Sequence, residues 1–424
     1  MGDVRSSYHG KMSTMPQAPD PHGDDAAAHH GRRHPTVRHV HKDLNESPFI
    51  VIWEVTRACQ LVCKHCRAEA QKTAAPGQLT TEQGKDLLRQ LAAYDKPRPL
   101  VVFTGGDCFE REDLVELTEY GCLLGLAVSI SPSVTPLFTR ERLEALKAAG
   151  ARAMSVSLDG ARAETHDAFR GFAGTFDKTL EAAALIKDVG FRLQINTTFT
   201  KKTIREAPQM LKNAIEMGAF MWYLFLLVPT GRGAQLEALD PDEREDVMHW
   251  LHDVSDRIAI KTTEAPQYRR VALQREAAAE RGVPHDELAE PAKRGELYHW
   301  LTAETTKLLG EHAPKPRPPR PPLAINSGSG FAFVSHLGDV YPSGFLPIKV
   351  GNVKERPFAE LYRDTEVMQE LRTPSLFGGT CGVCEFNHVC GGSRSTAYAL
   401  TGDHLAEDPT CAYTPEAAKS GSGV

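Results

Sequence analysis

Three cysteines, Cys59, Cys63 and Cys66, follow one another in a short loop directly after the apolar run from Val51 to Val55. Three thiolates from one loop can hold three irons of a four-iron cluster and leave the fourth iron open to a small molecule. Structural zinc takes four ligands, usually from two paired knuckles, and this loop offers three at uneven spacing. A second group, Cys381, Cys384, Cys390 and Cys411, supplies four thiolates. Four at these spacings saturate either a four-iron cluster or a zinc, and the residues alone leave both open.

The rest of the chain must position these groups. Its 424 residues, 41% hydrophobic and 25% charged, can bury a large core and predict one big domain plus a smaller one. A net charge of -6 argues against a general nucleic-acid binder. No apolar run reaches the roughly 18 residues that span a bilayer, and no signal-peptide core precedes the first motif. The expectation is a cytoplasmic protein, where nine cysteines are metal ligands more readily than cross-links.

From Pro48 onward short apolar strands alternate with helical stretches. Strands are predicted at Phe49 to Val55, Leu100 to Phe103, Leu126 to Ile130, Ala153 to Leu158, Arg192 to Thr198 and Trp222 to Val228. Gly150, Gly190 and Gly218 fall just past three of the intervening helices, where a left-handed cap is wanted. Such βα units predict an α/β fold: a partial (β/α)6 barrel, followed by a small cysteine-rich α+β domain. Chemistry then belongs at the C-terminal strand ends. The boundaries read as a disordered tail over 1–46, the barrel over 47–240, a helical segment over 241–311 and a proline-rich linker over 312–322. The cysteine-rich domain covers 323–413, opening with a hairpin that turns near Gly338, and a second disordered tail covers 414–424.

The first cysteine motif, with His65 before its last member, closely resembles that of the radical S-adenosylmethionine (radical SAM) enzymes. In that family the open iron chelates SAM, and an electron from the cluster splits it into methionine and a 5'-deoxyadenosyl radical. Gly105-Gly106-Asp107 resembles the family's Gly-Gly-Glu turn, which implies that Asp107 holds the SAM ammonium. Ser129 offers a hydroxyl toward the ribose after the third strand. Ser157-Leu158-Asp159-Gly160 and His166 to Arg170 resemble two signatures of the branch with a cysteine-rich C-terminal domain. The resemblance places Ser157 and Asp159 near the ribose and Arg170 near the carboxylate, although Asp159 before Gly160 also suits a plain turn. Asn196 lies on the inward face of the fifth strand, and Val228 begins a glycine-rich loop whose backbone the family uses to grip adenine.

The C-terminal group resembles the SPASM/twitch extension, which carries auxiliary clusters. A full module has seven cysteines and two clusters; here Ser343 and Arg394 stand where the pattern would continue. The resemblance therefore implies one auxiliary [4Fe-4S] cluster, fully ligated by protein, beside the SAM-binding [4Fe-4S] cluster and SAM. The run from Cys390 to Cys411 is similar to the ending of the enzymes that finish haem or haem d1, which oxidise or remove propionate side chains. Peptide-modifying members end in a similar way.

The expected function is hydrogen abstraction from a propionate-bearing tetrapyrrole or from a small ribosomal peptide. An electron donor such as flavodoxin or ferredoxin is implied, with no nucleic acid and no membrane span. An iron-sulfur carrier or scaffold is the alternative of another class. It leaves the Gly105 to Asp107 turn, Ser157, Asp159 and Arg170 at successive strand ends without a purpose. For a propionate-bearing substrate, Arg269, Arg270, Arg275 and Arg394 are the expected cations. A solvated helix is the plain reading of the first three.

Overall fold

The computed structural model describes residues 42–283, 294–312 and 324–420. All but the first residue of the linker expected over 312–322, and nearly all of the tail expected over 1–46, lie outside the described residues.

One sheet organises the chain. Its strands are β1 (Ile50–Glu54), β2 (Leu100–Thr104), β3 (Ala127–Ile130), β4 (Ala153–Ser157), β5 (Arg192–Phe199), β6 (Met221–Leu226) and β7 (Ala259–Thr263). They continue as β8 (Asn326–Ser327), β9 (Gly330–Val334), β10 (Asp339–Tyr341) and β11 (Gly351–Asn352). In space the order is β11-β10-β9-β1-β2-β3-β4-β5-β6-β7, with β8 added to β9. Strands β1 to β7 pair in parallel, as βα units require. The sheet curls as a partial barrel and does not close.

Alternation decides which side chains face the helices. In β6 the buried residues Trp222, Leu224 and Leu226 alternate with half-buried Met221, Tyr223 and Phe225. Trp222 packs edge-on against Phe199 and Trp250, with centroids 5.8 and 6.1 Å apart. The helix Thr81–Ala92 begins at a capping box between Thr80 and Gln83 and buries Leu87, Leu88 and Leu91 on one face. Each such leucine contributes about 1.5–3 kcal/mol through lost apolar exposure. Gly150, Gly190 and Gly218 all take positive φ after their helices, as their positions in the sequence suggest.

Three expectations change. The segment expected as helical over 241–311 contains β7, set between the helices Pro241–Val254 and Gln267–Glu280. Its five residues are all half-buried and include a lysine and two threonines, so they carry no apolar run to mark them. The cysteine-rich part also does not stand apart: the expected hairpin forms as β9 and β10, and β9 pairs in parallel with β1. The last described residues, Glu416–Ser420, are a short helix where a disordered tail was expected. Among the described residues no helix is long and apolar enough to cross a membrane.

Candidate functional site

The loop after β1 is fixed from four sides. Within it, Cys59 N donates to Gln71 O at 2.7 Å and Gln71 N to Arg57 O at 2.9 Å. From the β2 end, Gly106 N donates to Thr56 O and Asp107 N to Ala58 O, at 2.9 and 2.7 Å. A Cβ on Gly105 would stand 2.5 Å from Thr56 O, and one on Gly106 2.5 Å from Ala58 O, so only glycine allows this approach. From the helix Ala163–Arg170, Phe169 O accepts Lys64 N at 2.9 Å and the Phe169 ring stacks on His65 at 4.6 Å. From the loop after β6, Arg232 N donates to Cys66 O at 3.1 Å and Arg232 Nε to Cys63 O at 2.9 Å. Sequence reasoning selected that loop for its glycines and missed Arg232 between them.

A triad of buried Glu54 and His336 with half-buried Arg67 ties this loop to the hairpin. Glu54 ends β1; Arg67 Nη2 lies 3.2 Å from one of its oxygens, and His336 Nδ1 lies 2.9 Å from the other. Burial would raise the Glu54 carboxyl, but Arg67 and His336 outweigh it and hold it below the usual carboxylate range.

Asp107, expected at the SAM ammonium, is held inside its turn by three hydrogen bonds. It is fully buried: Oδ1 accepts Phe109 N and Ser133 N, both at 3.1 Å, and Oδ2 accepts Thr135 Oγ1 at 2.7 Å. Burial pushes its carboxyl up to about 6. Its bonds join the β2 and β3 ends beside Cys59, whose sulfur lies 3.8 Å from Ser133 Oγ.

Asp159 and Arg170 form a buried ion pair at 3.2 Å, and Thr198 N donates to the other Asp159 oxygen at 2.8 Å. Burial would lower the Arg170 guanidinium, yet Cys63, Asp159 and Cys59 hold it above its ordinary value. The pair thus sits against the cysteine loop. Ser129, Ser157 and Asn196 are half-buried on the inner face of the sheet, Asn196 accepting Gln194 Nε2 at 2.7 Å, and Val228 is buried at the end of β6. Register aligns Ser157, Asn196, Tyr223 and Lys261 in one row across β4, β5, β6 and β7.

Both cysteine groups suit thiolates bound to metal. Burial pushes Cys59 and Cys390 up to about 11 and Cys411 up to about 12, so each thiol keeps its proton unless a metal replaces it. Donors already point at sulfur: Leu61 N at 3.4 Å from Cys59, Asp408 N at 3.4 Å from Cys381, Phe386 N at 3.5 Å from Cys384 and Gly392 N at 3.5 Å from Cys390. Such N–H···S bonds tune cluster thiolates. Among the described residues, no three His, Cys, Asp or Glu side chains form a group that would hold a metal ion as they stand.

Three arginines surround the C-terminal four. Arg394 is fully buried; its Nη1 donates to His404 O and Ala406 O, at 3.2 and 2.6 Å, and its Nη2 to Cys381 Sγ at 3.5 Å. Arg270 pairs through both Nη atoms with Glu245 and acts on Cys390 and Cys411. Arg269 donates to Ile325 O at 2.8 Å and to Val389 O, beside Cys390. Arg275 turns away to Asp253, at 2.6 Å.

A cavity of about 300 Å³ opens in the seam between β7 and the β8–β9 edge. Of the four expected substrate cations Arg269 lines it, while Arg270, Arg275 and Arg394 do not. Lys261, Tyr223, Phe49, Phe331 and Glu264 also face it. Glu264 holds a left-handed backbone at φ 56°. Its carboxylate accepts hydroxyls from Ser343, Ser393 and Ser395 at 3.0, 2.6 and 2.9 Å. Burial pushes that carboxyl up, against the pull of the three serines.

Comparison with known proteins fits this arrangement. Residues 53–214 match the Radical SAM superfamily. An AdoMet-dependent heme synthase of Methanosarcina barkeri is 37% identical over 374 residues, 88% of this chain and 98% of that protein. A PqqA peptide cyclase of Rhodopseudomonas palustris is 27% identical over 87% of this chain and 88% of that protein. Among solved structures, Streptococcus suis SuiB bound to S-adenosylmethionine shares the fold with a TM-score of 0.61, at 14% identity, over 86% of this chain and 77% of that one. With its cysteine loop fixed at the first strand end and a relative of this identity along nearly its whole length, the chain belongs to the radical SAM superfamily of enzymes.

Proposed function

We propose that this enzyme abstracts hydrogen from a propionate side chain of an iron tetrapyrrole and so oxidises or decarboxylates it. The observation that carries this reading is the 37% identity with a heme synthase over nearly the full length of both proteins. The peptide cyclase, over a similar span, reaches 27%. When bound, a four-iron cluster with one open iron supplies the electron that cleaves SAM to the 5'-deoxyadenosyl radical.

The chain's own residues prepare the place for that cleavage. Cys59, Cys63 and Cys66 supply thiolates to the SAM-binding cluster. Gly105 and Gly106 offer close backbone to the SAM amino group, and Asp107 fixes their turn. Arg170, already charged against Asp159, offers a cation to the SAM carboxylate. Ser157 and Asn196 give polar contacts along the inner face, and the Val228 backbone lies toward the adenine. Cys381, Cys384, Cys390 and Cys411 would ligate one auxiliary four-iron cluster, and the buried charges of Arg269, Arg270 and Arg394 favour an electron-rich group there.

In decarboxylation, hydrogen leaves the side-chain carbon next to the ring; the side chain then releases carbon dioxide as the vinyl double bond forms, and the electron it gives up returns to the external carrier that supplied one for SAM cleavage. An external protein such as flavodoxin or ferredoxin supplies the electron for SAM cleavage. The test is an anaerobic assay of the reconstituted enzyme with reductant, SAM and iron coproporphyrin. 5'-Deoxyadenosine should form together with porphyrin that has lost one formic-acid equivalent per side chain. If the porphyrin is unchanged and does not stimulate SAM cleavage, the reading fails and a peptide becomes the better substrate.

A further inference from the structure

We propose that the seam cavity binds a carboxylate side arm of the substrate, with Lys261 and Arg269 as its two anchors. This rests on the reading of the substrate as propionate-bearing, and adds to it a place and a new residue. Both cations line the same cavity. Neither meets a carboxylate among the described residues: Lys261 Nζ lies over the Tyr223 and Phe49 rings, 5.3 and 6.0 Å from their centroids, and Arg269 is bonded to two backbone carbonyls. The third Arg269 nitrogen, Nη2, is buried with no hydrogen-bond partner. An orphaned charged donor is costly, and two like charges in one concavity add to that cost unless an anion joins them.

The described residues do not provide the anion from within. Glu264 is the carboxylate of the cavity wall, and its oxygens are taken by Ser343, Ser393 and Ser395. A ligand carboxylate would satisfy both cations, accepting from Arg269 Nη2 and from the Lys261 ammonium. The remaining wall suits what such an arm is attached to. Phe49, Tyr223, Tyr268 and Phe331 present aromatic surface to a flat ring. At about 300 Å³ the cavity lies at the small end of ligand pockets, so it takes an edge of a large macrocycle.

Its location agrees with the chemistry. Lys261 shares a sheet row with Tyr223, Asn196 and Ser157. Three strand spacings of about 4.8 Å separate the ends of that row, roughly 14 Å. A molecule anchored at Lys261 thus extends along the inner face toward the residues assigned to SAM.

The experiment compares equilibrium binding of iron coproporphyrin and of its tetramethyl ester, which lacks the charges, to the reconstituted enzyme and to Lys261→Met and Lys261→Glu. Lys261 makes no hydrogen bond to the other described residues, and iron content checks that each variant folds. The free acid should bind the native enzyme at least tenfold tighter than the ester. Lys261→Met should lose roughly ten- to a hundredfold toward the acid, Lys261→Glu more, and neither should change toward the ester. Native binding of the acid that both variants retain overturns the cavity assignment while the substrate reading stands. Equal native affinity for acid and ester also overturns it. If neither porphyrin binds the native enzyme, the substrate reading fails and this inference with it.

Discussion

Arg394 donates to Cys381, its Nη2 lying 3.5 Å from the sulfur, and its remaining bonds go to backbone carbonyls. A buried guanidinium without a carboxylate finds its counter-charge in the cysteine group. Adding an electron there is then easier with the arginine than without it. Arg394→Met should lower the midpoint potential of the C-terminal cluster by several tens of millivolts, about 59 mV being tenfold for one electron. An EPR-monitored redox titration reads the shift. No change would mean that the charge is compensated elsewhere.

Anaerobically reconstituted enzyme should carry about eight irons, four per cluster. Replacing Cys59, Cys63 and Cys66 together by Ala should leave about four and abolish 5'-deoxyadenosine formation. Metal analysis that finds zinc with the C-terminal cysteines would reject the auxiliary cluster.

Asp107→Asn should alter how stability depends on pH. In the folded protein the carboxyl titrates near 6, above the roughly 3.9 of an unfolded aspartate. Between these values the folded state binds more protons, so stability falls as pH rises through them. The full two-unit difference corresponds to about 3 kcal/mol, an upper figure for this one group. Asparagine removes that slope. Relative to the native protein, the urea midpoint of the variant should climb between about pH 4 and 6; parallel profiles would show that the carboxyl ionises normally.

Gly231→Ala should damage the SAM-binding end alone. Gly231 has φ 53°, and an added Cβ would lie 2.7 Å from Cys66 O and 2.9 Å from Arg67 O. Both contacts are with backbone, so the cysteine loop must shift. The variant should keep about four irons at the C-terminal cysteines and lose most SAM cleavage. Full iron content and native cleavage would show that the loop adapts.

The close approaches and helix ends around this site are legible in the sequence, because local chemistry fixes them. Glycines at 105 and 106 mark a close approach, and Gly150, Gly190 and Gly218 mark helix ends. What escaped depends on distant partners. β7 has no apolar run, and its place follows from pairing with β6. Nor does the sequence reveal that Ser133 and Thr135 engage Asp107. Lys261 looks like an ordinary strand lysine until Arg269 is seen on the same wall.

The parallel pairing of β9 with β1 sets a schedule for the chain's birth. His336 and Glu54 meet across 282 positions, so the first strand emerges from the ribosome long before the neighbour that completes it. At about 5–20 residues per second that interval is roughly 15 to 60 s, during which one edge of β1 stays open. The Glu54 anchor of the cysteine loop is likewise incomplete until the hairpin arrives. Iron loading of the first site should therefore follow release of the finished polypeptide, and chains truncated before β9 should aggregate through that edge.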